Sequence, residues 1–251
     1  MPLVLNTNIA SINAQRAIAR TQNEMQTAMQ RLSSGLRVNS AKDDAAGLAI
    51  GSRMDAQIRG LNIAIRNANE GISLLQTADG ALATIVDIFQ RMRELAVQAA
   101  NGSYGSGDYT LLNDEYQQLA NEAIRIATDT RFNGLAIIGS DAGEFSFQVG
   151  ADGGQQITVE TTDISGVFSA ATLDASSASD QIADLDEAIN TINANRAIYG
   201  ASLSRLDFTI SNLRNAIENQ IAAKSRIMDA DFAAETAALS KYQVLQHAGV
   251  A

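Results

Sequence analysis

The chain has 251 residues, a formal net charge of −10 at neutral pH, one proline at position 2 and no cysteine. The negative charge argues against nucleic-acid binding, which needs a basic surface facing the phosphates. Disulfides and cysteine-based metal sites are excluded. Apolar residues make up 46% of the chain but aromatic residues only 5%, a mix that favours long, closely packed helices.

Membrane insertion and classical secretion are not expected from the sequence. No run of about 18 apolar residues is present to form a transmembrane helix. Residues 1–20 lack the basic region and continuous apolar region of a signal peptide. Taken alone, this pattern indicates a cytoplasmic protein, unless a specialised machine exports it.

The first two predicted helices differ in the strength of their apolar pattern. Residues 8–32 carry a weak stripe that ends at Ser33-Ser34-Gly35, so this helix needs a partner surface. A second helix is predicted from near Ser40, with Asp43 closing a capping box and Asp44 in the first turn. It extends to about residue 99 and carries a heptad seam over 61–89 in which Asp79 fills one slot.

Two more helices and one β-hairpin are predicted further along the chain. A stripe over 112–126 follows a glycine-rich loop at 101–108, and alternating residues at 145–149 and 157–160 predict a hairpin. Residues 161–180 resemble a loop. The seam over 182–217, with Arg196 in one slot, is expected to face the 61–99 helix. Residues 225–251 are predicted to form an amphipathic helix, and we expect the natural chain to continue past Ala251.

Three sequence motifs resemble those of bacterial flagellins. The segment RLSSGLRVNSAKDDAAGLAI (Arg31–Ile50) is similar to the family's N-terminal signature, and SRIMDADFAAETAALSKYQVLQHAG (Ser225–Gly249) to its C-terminal signature. RFNG (Arg131–Gly134) resembles a family turn. The positions that carry this polymerisation signature are Arg31, Leu32, Ser33, Gly35, Asp43, Asp44, Gly47, Leu48, Asp229, Asp231 and Phe232.

The resemblance implies a mainly α fold: a long antiparallel helical rod or coiled-coil bundle, one small β-hairpin, and terminal helices that form a separate coiled coil. Residues 1–40 and 225–251 would form the inner coiled-coil domain, with the C-terminal helix truncated. Residues 41–180, with two helices, the hairpin and the loop, would form the N-terminal part of the rod domain, and 181–224 its C-terminal helix. Little of the chain is left for a variable outer domain.

The resemblance also implies a function and partners. The chain would be a structural subunit that polymerises with itself into the extracellular flagellar filament for motility, without a cofactor. Its other partners would be an export chaperone and the filament cap and junction proteins. It would leave the cell through the flagellar secretion apparatus with no cleaved signal peptide, which agrees with the absence of cysteine.

A second resemblance concerns the segment QRMRELAVQ (Gln90–Gln98), which is similar to the flagellin segment sensed by the vertebrate Toll-like receptor for flagellin. The implied receptor contacts are Gln90, Arg91, Leu95 and Glu115. Met92 departs from the valine common at that position. The alternative interpretation is a solvated face that packs protofilaments, and both roles can hold together.

Other functions are compatible with parts of the sequence. A hook–filament junction protein and a surface adhesin on a flagellin scaffold stay open as alternatives. An enzyme is not expected. Asp43 and Asp44 fit helix capping better than acid catalysis or metal binding, His247 has no recognisable nucleophile partner, and the glycines of 102–107 lack the ending of a phosphate loop.

Overall fold

The computed structural model describes residues 8–167, 169 and 171–250. Within those residues the chain forms five α-helices and two two-stranded antiparallel sheets. They are α1 (Ile9–Ser34), α2 (Ala45–Ala99), α3 (Ser106–Asp129), β1 (Arg131–Phe132), β2 (Leu135–Ala136), β3 (Glu144–Gln148), β4 (Gln156–Glu160), α4 (Ala178–Met228) and α5 (Phe232–Val250). The predicted mainly α fold is confirmed, with one small antiparallel pair more than expected.

Helix α2 begins at Ala45, so the predicted start near Ser40 is wrong. The carboxylate of Asp43 accepts hydrogen bonds from the backbone amide and the hydroxyl of Ser40, each at 2.9 Å. The Ser40 hydroxyl and amide hold the pKa of Asp43 below its usual value. These bonds close a separate turn before the helix. The helix itself is capped by Asp44, whose Oδ1 accepts a hydrogen bond from the Gly47 amide at 2.8 Å.

The long seams of α2 and α4 pack against each other within residues 60–215, as their spacing predicts. Leu75 and Leu82 of α2 and Leu185 and Ile192 of α4 are fully buried in one core cluster. The polar residues that interrupt the two seams meet, because Arg196 Nε lies 2.7 Å from Asp79 Oδ1. Arg93 Nε lies 2.6 Å from Asp186 Oδ1. The pairs 79–196 and 93–186 run in opposite chain directions, so the helices are antiparallel.

The two β-pairs lie between α3 and α4 in the sequence. Strands β3 and β4 form the predicted hairpin, in register Phe145↔Val159 and Phe147↔Ile157. Strands β1 and β2 form a second pair joined by Asn133 and Gly134, whose φ angles are +50° and +87°. Positive φ at both central residues is the requirement of a two-residue type I′ turn, which Asn-Gly satisfies well. Sequence analysis identified the turn but not the pairing.

Contacts divide the chain into two units, one formed by Met1–Arg59 with Ala216–Ala251 and the other by Gly60–Asn215. Helices α2 and α4 contribute residues to both units, so neither unit boundary coincides with a helix end. Helix α4 continues to Met228, beyond the predicted boundary at 224/225. The four-segment division made from the sequence stays a prediction.

One stretch of helix α2 is strongly apolar. An 18-residue window within it has a mean hydropathy of 1.3, which by length and composition alone would permit a membrane span. Sequence analysis did not anticipate this. Side chains that make α2 apolar, including Leu75, Leu82 and Ile85, are buried in the core of residues 60–215. Packing in this core accounts for the hydropathy, and the absence of membrane insertion stays a prediction.

Candidate functional surfaces

The two signature segments meet at one corner of the unit formed by residues 1–59 and 216–251. Helix α1 ends at Ser34 and is capped by Gly35, which adopts a left-handed φ of +71° and donates its amide to Arg31 O at 2.8 Å. The next residues pair with the end of α4: Arg37 N donates to Met228 O at 2.7 Å, and Ala230 N donates to Gly35 O at 3.0 Å. We call residues 31–38 and 228–235 the signature corner.

Side chains reinforce the signature corner at the start of α5. Asp231 caps α5, because its Oδ1 accepts hydrogen bonds from the amides of Ala233 at 2.9 Å and Ala234 at 3.2 Å. Arg31 Nη1 forms an ion pair with Glu235 Oε1 at 2.9 Å, and the two side chains are 31% and 16% exposed. The cap sets the direction of α5 and the ion pair holds it beside α1.

A second set of contacts joins the C-terminal end of α4 to the first turns of α2. A Cβ added at Gly51 would lie 2.7 Å from Met228 Sδ, so glycine is what lets Met228 pack there. Lys224 Nζ lies 2.6 Å from Asp55 Oδ1. The Lys224 ammonium, with a smaller contribution from Arg59, holds the pKa of Asp55 below its usual value. Here a close approach of two helices is fixed by charge.

The signature positions have distinct places in this unit. Four of them lie at the signature corner: Arg31, Gly35, Asp229 and Asp231. Asp229 forms an isolated antiparallel β-bridge with Leu36 there. Asp44 and Gly47 lie at the start of α2, Asp43 in the turn before it. Leu32 and Leu48 are half-buried, whereas Ser33 and Phe232 are exposed. Sequence analysis missed Gly51, Asp55, Lys224, Met228 and Glu235. All five lie within the quoted motifs or no more than five residues from them, but only tertiary contact reveals their pairing.

Helices α1 and α5 pack together and leave large apolar side chains exposed. The exposed side chains are Ile9 (68%), Ile12 (46%), Met29 (51%), Phe232 (56%), Val244 (67%) and Leu245 (47%). Val244 and Leu245 are sequence neighbours, which point in different directions on a helix. The predicted single amphipathic stripe of 225–251 is therefore wrong, because apolar residues are distributed around α5. Burying them needs neighbours on more than one side.

Three of the four predicted receptor-contact residues lie on a separate surface within residues 60–215. Arg91 on α2 binds Glu115 on α3, with Nη2–Oε1 at 2.8 Å, and Glu94 on its own helix, with Nη1–Oε2 at 2.9 Å. Glu115, then Glu94, raise the pKa of Arg91. Gln90 is exposed beside this cluster. Leu95 is 1% exposed, because it belongs to the buried stripe of α2, so its side chain is not on this surface.

Across residues 8–167, 169 and 171–250, no group of three or more His, Asp or Glu side chains could hold a metal ion. His247 is exposed near the end of α5. The arrangement of the described residues is one of helix pairing and surface contact.

Two models of one protein family match this chain. Residues 5–140 match the bacterial flagellin N-terminal helical region, and residues 182–251 match the bacterial flagellin C-terminal helical region. The chain belongs to the bacterial flagellins. This flagellin is 43% identical over 255 aligned residues to a flagellin of Halalkalibacterium halodurans, covering 99% of this chain and 94% of the relative. It is also 39% identical to the flagellar filament 33 kDa core protein of Treponema phagedenis, again covering 99% and 94%.

A solved structure shows the same fold. The crystal structure of Bacillus cereus flagellin aligns with a TM-score of 0.56 and 36% identity, covering 59% of this chain and 88% of that one. The family is structural rather than enzymatic, and its members polymerise into the extracellular flagellar filament. This flagellin is accordingly a structural filament protein, and motility follows from the family.

Proposed function

We propose that the α1–α5 pair and the signature corner form the surface through which copies of this flagellin join in the filament. The supporting observation is that these paired helices leave six large apolar side chains exposed while charge and backbone bonds fix their arrangement. Full burial of one such side chain contributes about 1.5–3 kcal/mol. Burial against neighbouring copies would offset the entropy of ordering two helices that are weak alone.

The signature corner sets the geometry of this surface. Gly35 turns the chain after α1, Asp231 starts α5, and the Arg31–Glu235 ion pair fixes one helix against the other. A change at the corner would reorient the apolar side chains without removing them. Filament growth should therefore depend on the corner even though few of its side chains are large.

Charge exchange tests this proposal. Arg31→Glu and Glu235→Arg each place like charges together, whereas the double variant restores an opposite pair. Seeded polymerisation under salting-out conditions, observed by electron microscopy, should give few or no filaments from either single variant and recovered filaments from the double variant. Circular dichroism of the monomers controls for folding. Normal filaments from both single variants would contradict the role of the corner. If the wild-type chain binds the ends of seeds without extending them, the result would favour a hook–filament junction protein. If the wild-type chain does not bind the seeds, the result would favour a surface adhesin.

We further propose a set of partners and an export route for this chain, on the basis of its resemblance to flagellins. The chain would bind an export chaperone, leave through the flagellar secretion apparatus without a cleaved signal peptide, and meet the filament cap and junction proteins. Co-purification of the chain with the chaperone from cells that lack the filament would test the first of these. Retention of Met1 or Pro2 at the N-terminus of secreted protein would test the absence of cleavage.

We also propose that the surface around Arg91 is a ligand of the vertebrate Toll-like receptor for flagellin. The supporting observation is the preorganised bridge from Arg91 to Glu115, which joins α2 and α3 and leaves all three charged side chains 46–68% exposed. Gln90 lies beside it, and buried Leu95 would act by fixing α2. Arginine is enriched among the residues that contribute most to binding at protein interfaces. An arginine side chain that is already held in place loses little conformational entropy on binding.

Arg125 provides a matched control for the receptor proposal. It lies on α3, is 58% exposed and forms an ion pair with Glu122 at 2.7 Å, as Arg91 does with Glu115. Monomeric Arg91→Asp should signal at least about tenfold less well in receptor reporter cells, equivalent to about 1.4 kcal/mol. Arg125→Asp should signal like the wild type. Equal signalling by both variants would contradict the proposal.

A further inference from the structure

The sequence contains two Asn-Gly pairs, which the structure places in contrasting surroundings. Asn101-Gly102 lies in the connection between α2 and α3, and Asn133-Gly134 forms the turn between β1 and β2. Asn-Gly is the pair in which an asparagine side chain is most readily attacked by the following backbone amide, because glycine has no Cβ to obstruct the approach. The two pairs share this chemistry, so any difference between them arises from the fold.

The Asn101-Gly102 pair is free to reach a reactive geometry. Asn101, Gly102 and Ser103 are all exposed. Asn101 N donates to Gln98 O at 3.2 Å, and within the described residues the backbone amides of Gly102 and Ser103 donate no hydrogen bond. The attacking atom, Gly102 N, is therefore held only by its covalent neighbours. Few backbone bonds and high exposure mark a segment that opens at low free energy.

The Asn133-Gly134 pair is held away from that geometry. Asn133 has φ +50° and Gly134 has φ +87°, and the flanking residues pair as Phe132↔Leu135 and Arg131↔Ala136. A type I′ turn requires positive φ at both positions. Closing a ring between the asparagine side chain and the next amide needs a different backbone conformation, so the hairpin would have to open first.

We propose that Asn101 is a site of spontaneous deamidation in the folded flagellin, whereas Asn133 is protected by its hairpin. Gly102 N, after losing its proton to solvent, attacks Asn101 Cγ. The side-chain nitrogen leaves as ammonia, carrying a proton from water, and a five-membered succinimide forms. Water then adds to either ring carbonyl, and ring opening gives aspartate or isoaspartate. The net change is loss of ammonia and gain of water, with no oxidant or reductant.

The product alters the end of α2. A carboxylate at position 101 adds negative charge two residues after Ala99, where the helix dipole already disfavours it. Isoaspartate also lengthens the backbone by one carbon at a residue whose carbonyl accepts a hydrogen bond from the Tyr109 hydroxyl at 3.2 Å. Subunits would thus acquire charge and a loosened α2–α3 connection with age, independently of the assembly and receptor proposals.

Peptide mapping of the full-length monomer tests the inference. The protein is incubated in mildly alkaline buffer, digested in acid to prevent further reaction, and the gain of one mass unit is localised by fragmentation. Isoaspartate is confirmed with isoaspartyl methyltransferase. We expect Asn101 to convert at least about tenfold faster than Asn133, a barrier difference of about 1.4 kcal/mol.

Two controls separate the loop from the hairpin. A Cβ at Gly102 would contact nothing within 4 Å, so Gly102→Ala should fold normally and slow conversion of Asn101 several-fold. In denaturant, the wild-type chain should convert Asn133 at a rate close to that of Asn101. Equal rates at the two positions in the folded chain would overturn the inference. Unchanged conversion in Gly102→Ala, or an unreactive Asn101 in the folded chain, would do so as well.

Discussion

The ion pair between Asp79 and Arg196 allows a quantitative test of how α2 and α4 recognise each other. These are the residues that interrupt two otherwise apolar seams, and they meet with an Nε–Oδ1 distance of 2.7 Å. Their side chains are 37% and 34% exposed, which places them between surface pairs and buried pairs. Asp79, with a smaller contribution from Asp87, raises the pKa of Arg196.

The exposure sets the expected magnitude. Surface pairs contribute about 0.2–1 kcal/mol, whereas breaking a buried pair costs about 3–5 kcal/mol. For this intermediate pair, we expect Asp79→Ala or Arg196→Ala to lower the free energy of unfolding by about 1–2 kcal/mol. The coupling energy should be about 1 kcal/mol. Replacing both residues by leucine should restore or exceed wild-type stability, because the seam around them is apolar.

Urea unfolding of dilute monomer, followed by circular dichroism, gives each free energy by linear extrapolation. The control cycle uses Arg125 and Glu122, an exposed pair within α3, for which a coupling of about 0.2–0.5 kcal/mol is expected. A coupling for Asp79–Arg196 no larger than the control would refute the reasoning. A leucine double variant less stable than both single variants would refute the claim that the seam prefers apolar residues.

Other predictions concern glycines and carboxylates. Gly51→Ala should lower the free energy of unfolding by about 1–3 kcal/mol, because the added Cβ would lie 2.7 Å from Met228 Sδ. Gly80→Ala should instead raise the free energy of unfolding by about 0.5–1 kcal/mol, because a Cβ at this position in α2 would meet open space. Both values are measured in the same urea assay. Asp231→Ala should remove about 1 kcal/mol of helix stabilisation, measured as faster hydrogen exchange confined to α5, and unchanged exchange there would contradict its capping role. Hydrogen bonds from neighbouring serine groups lower the pKa of Asp174 to about 2 from 3.8. Because the pKa of Asp174 is lower in the folded chain than in the unfolded chain, this carboxylate stabilises the fold at pH values above the unfolded pKa. That stabilisation is lost as the pH falls through the folded pKa. NMR titration of this carboxyl in the folded protein should show a midpoint near 2 rather than 3.8.

Local sequence patterns predicted the helices well where a physical period was strong. The seams over 61–89 and 182–217 follow the heptad spacing, and both lie in helices that pack together. Boundaries were less predictable. The start of α2 was placed near Ser40 because Asp43 fits a capping box. In the folded chain Asp43 binds back to Ser40, and Asp44 caps the helix instead. Two adjacent aspartates offered equivalent local signals.

Residues of the candidate surfaces were predicted by motif resemblance rather than by physics. The signature positions Arg31 and Asp231 could be named from the sequence, but their partners could not. Glu235 is 204 residues from Arg31, and no local periodicity reports a contact at that separation. Leu95 was grouped with Gln90 and Arg91 by resemblance, yet it is buried because its helix face is turned toward the core.

The sequence by itself determined the helical class, the apolar seams, the hairpin at 145–160 and the flagellin signatures, because these depend on residue spacing and local backbone preference. Tertiary structure alone decided that Asp79 and Arg196, the charged residues within the apolar seams, form an ion pair. It also decided that Met228 packs against Gly51, and that Asn133 is held in a turn while Asn101 is not. Those outcomes depend on distances between chain segments far apart in sequence, or on hydrogen bonds that form only once strands and helices are in place.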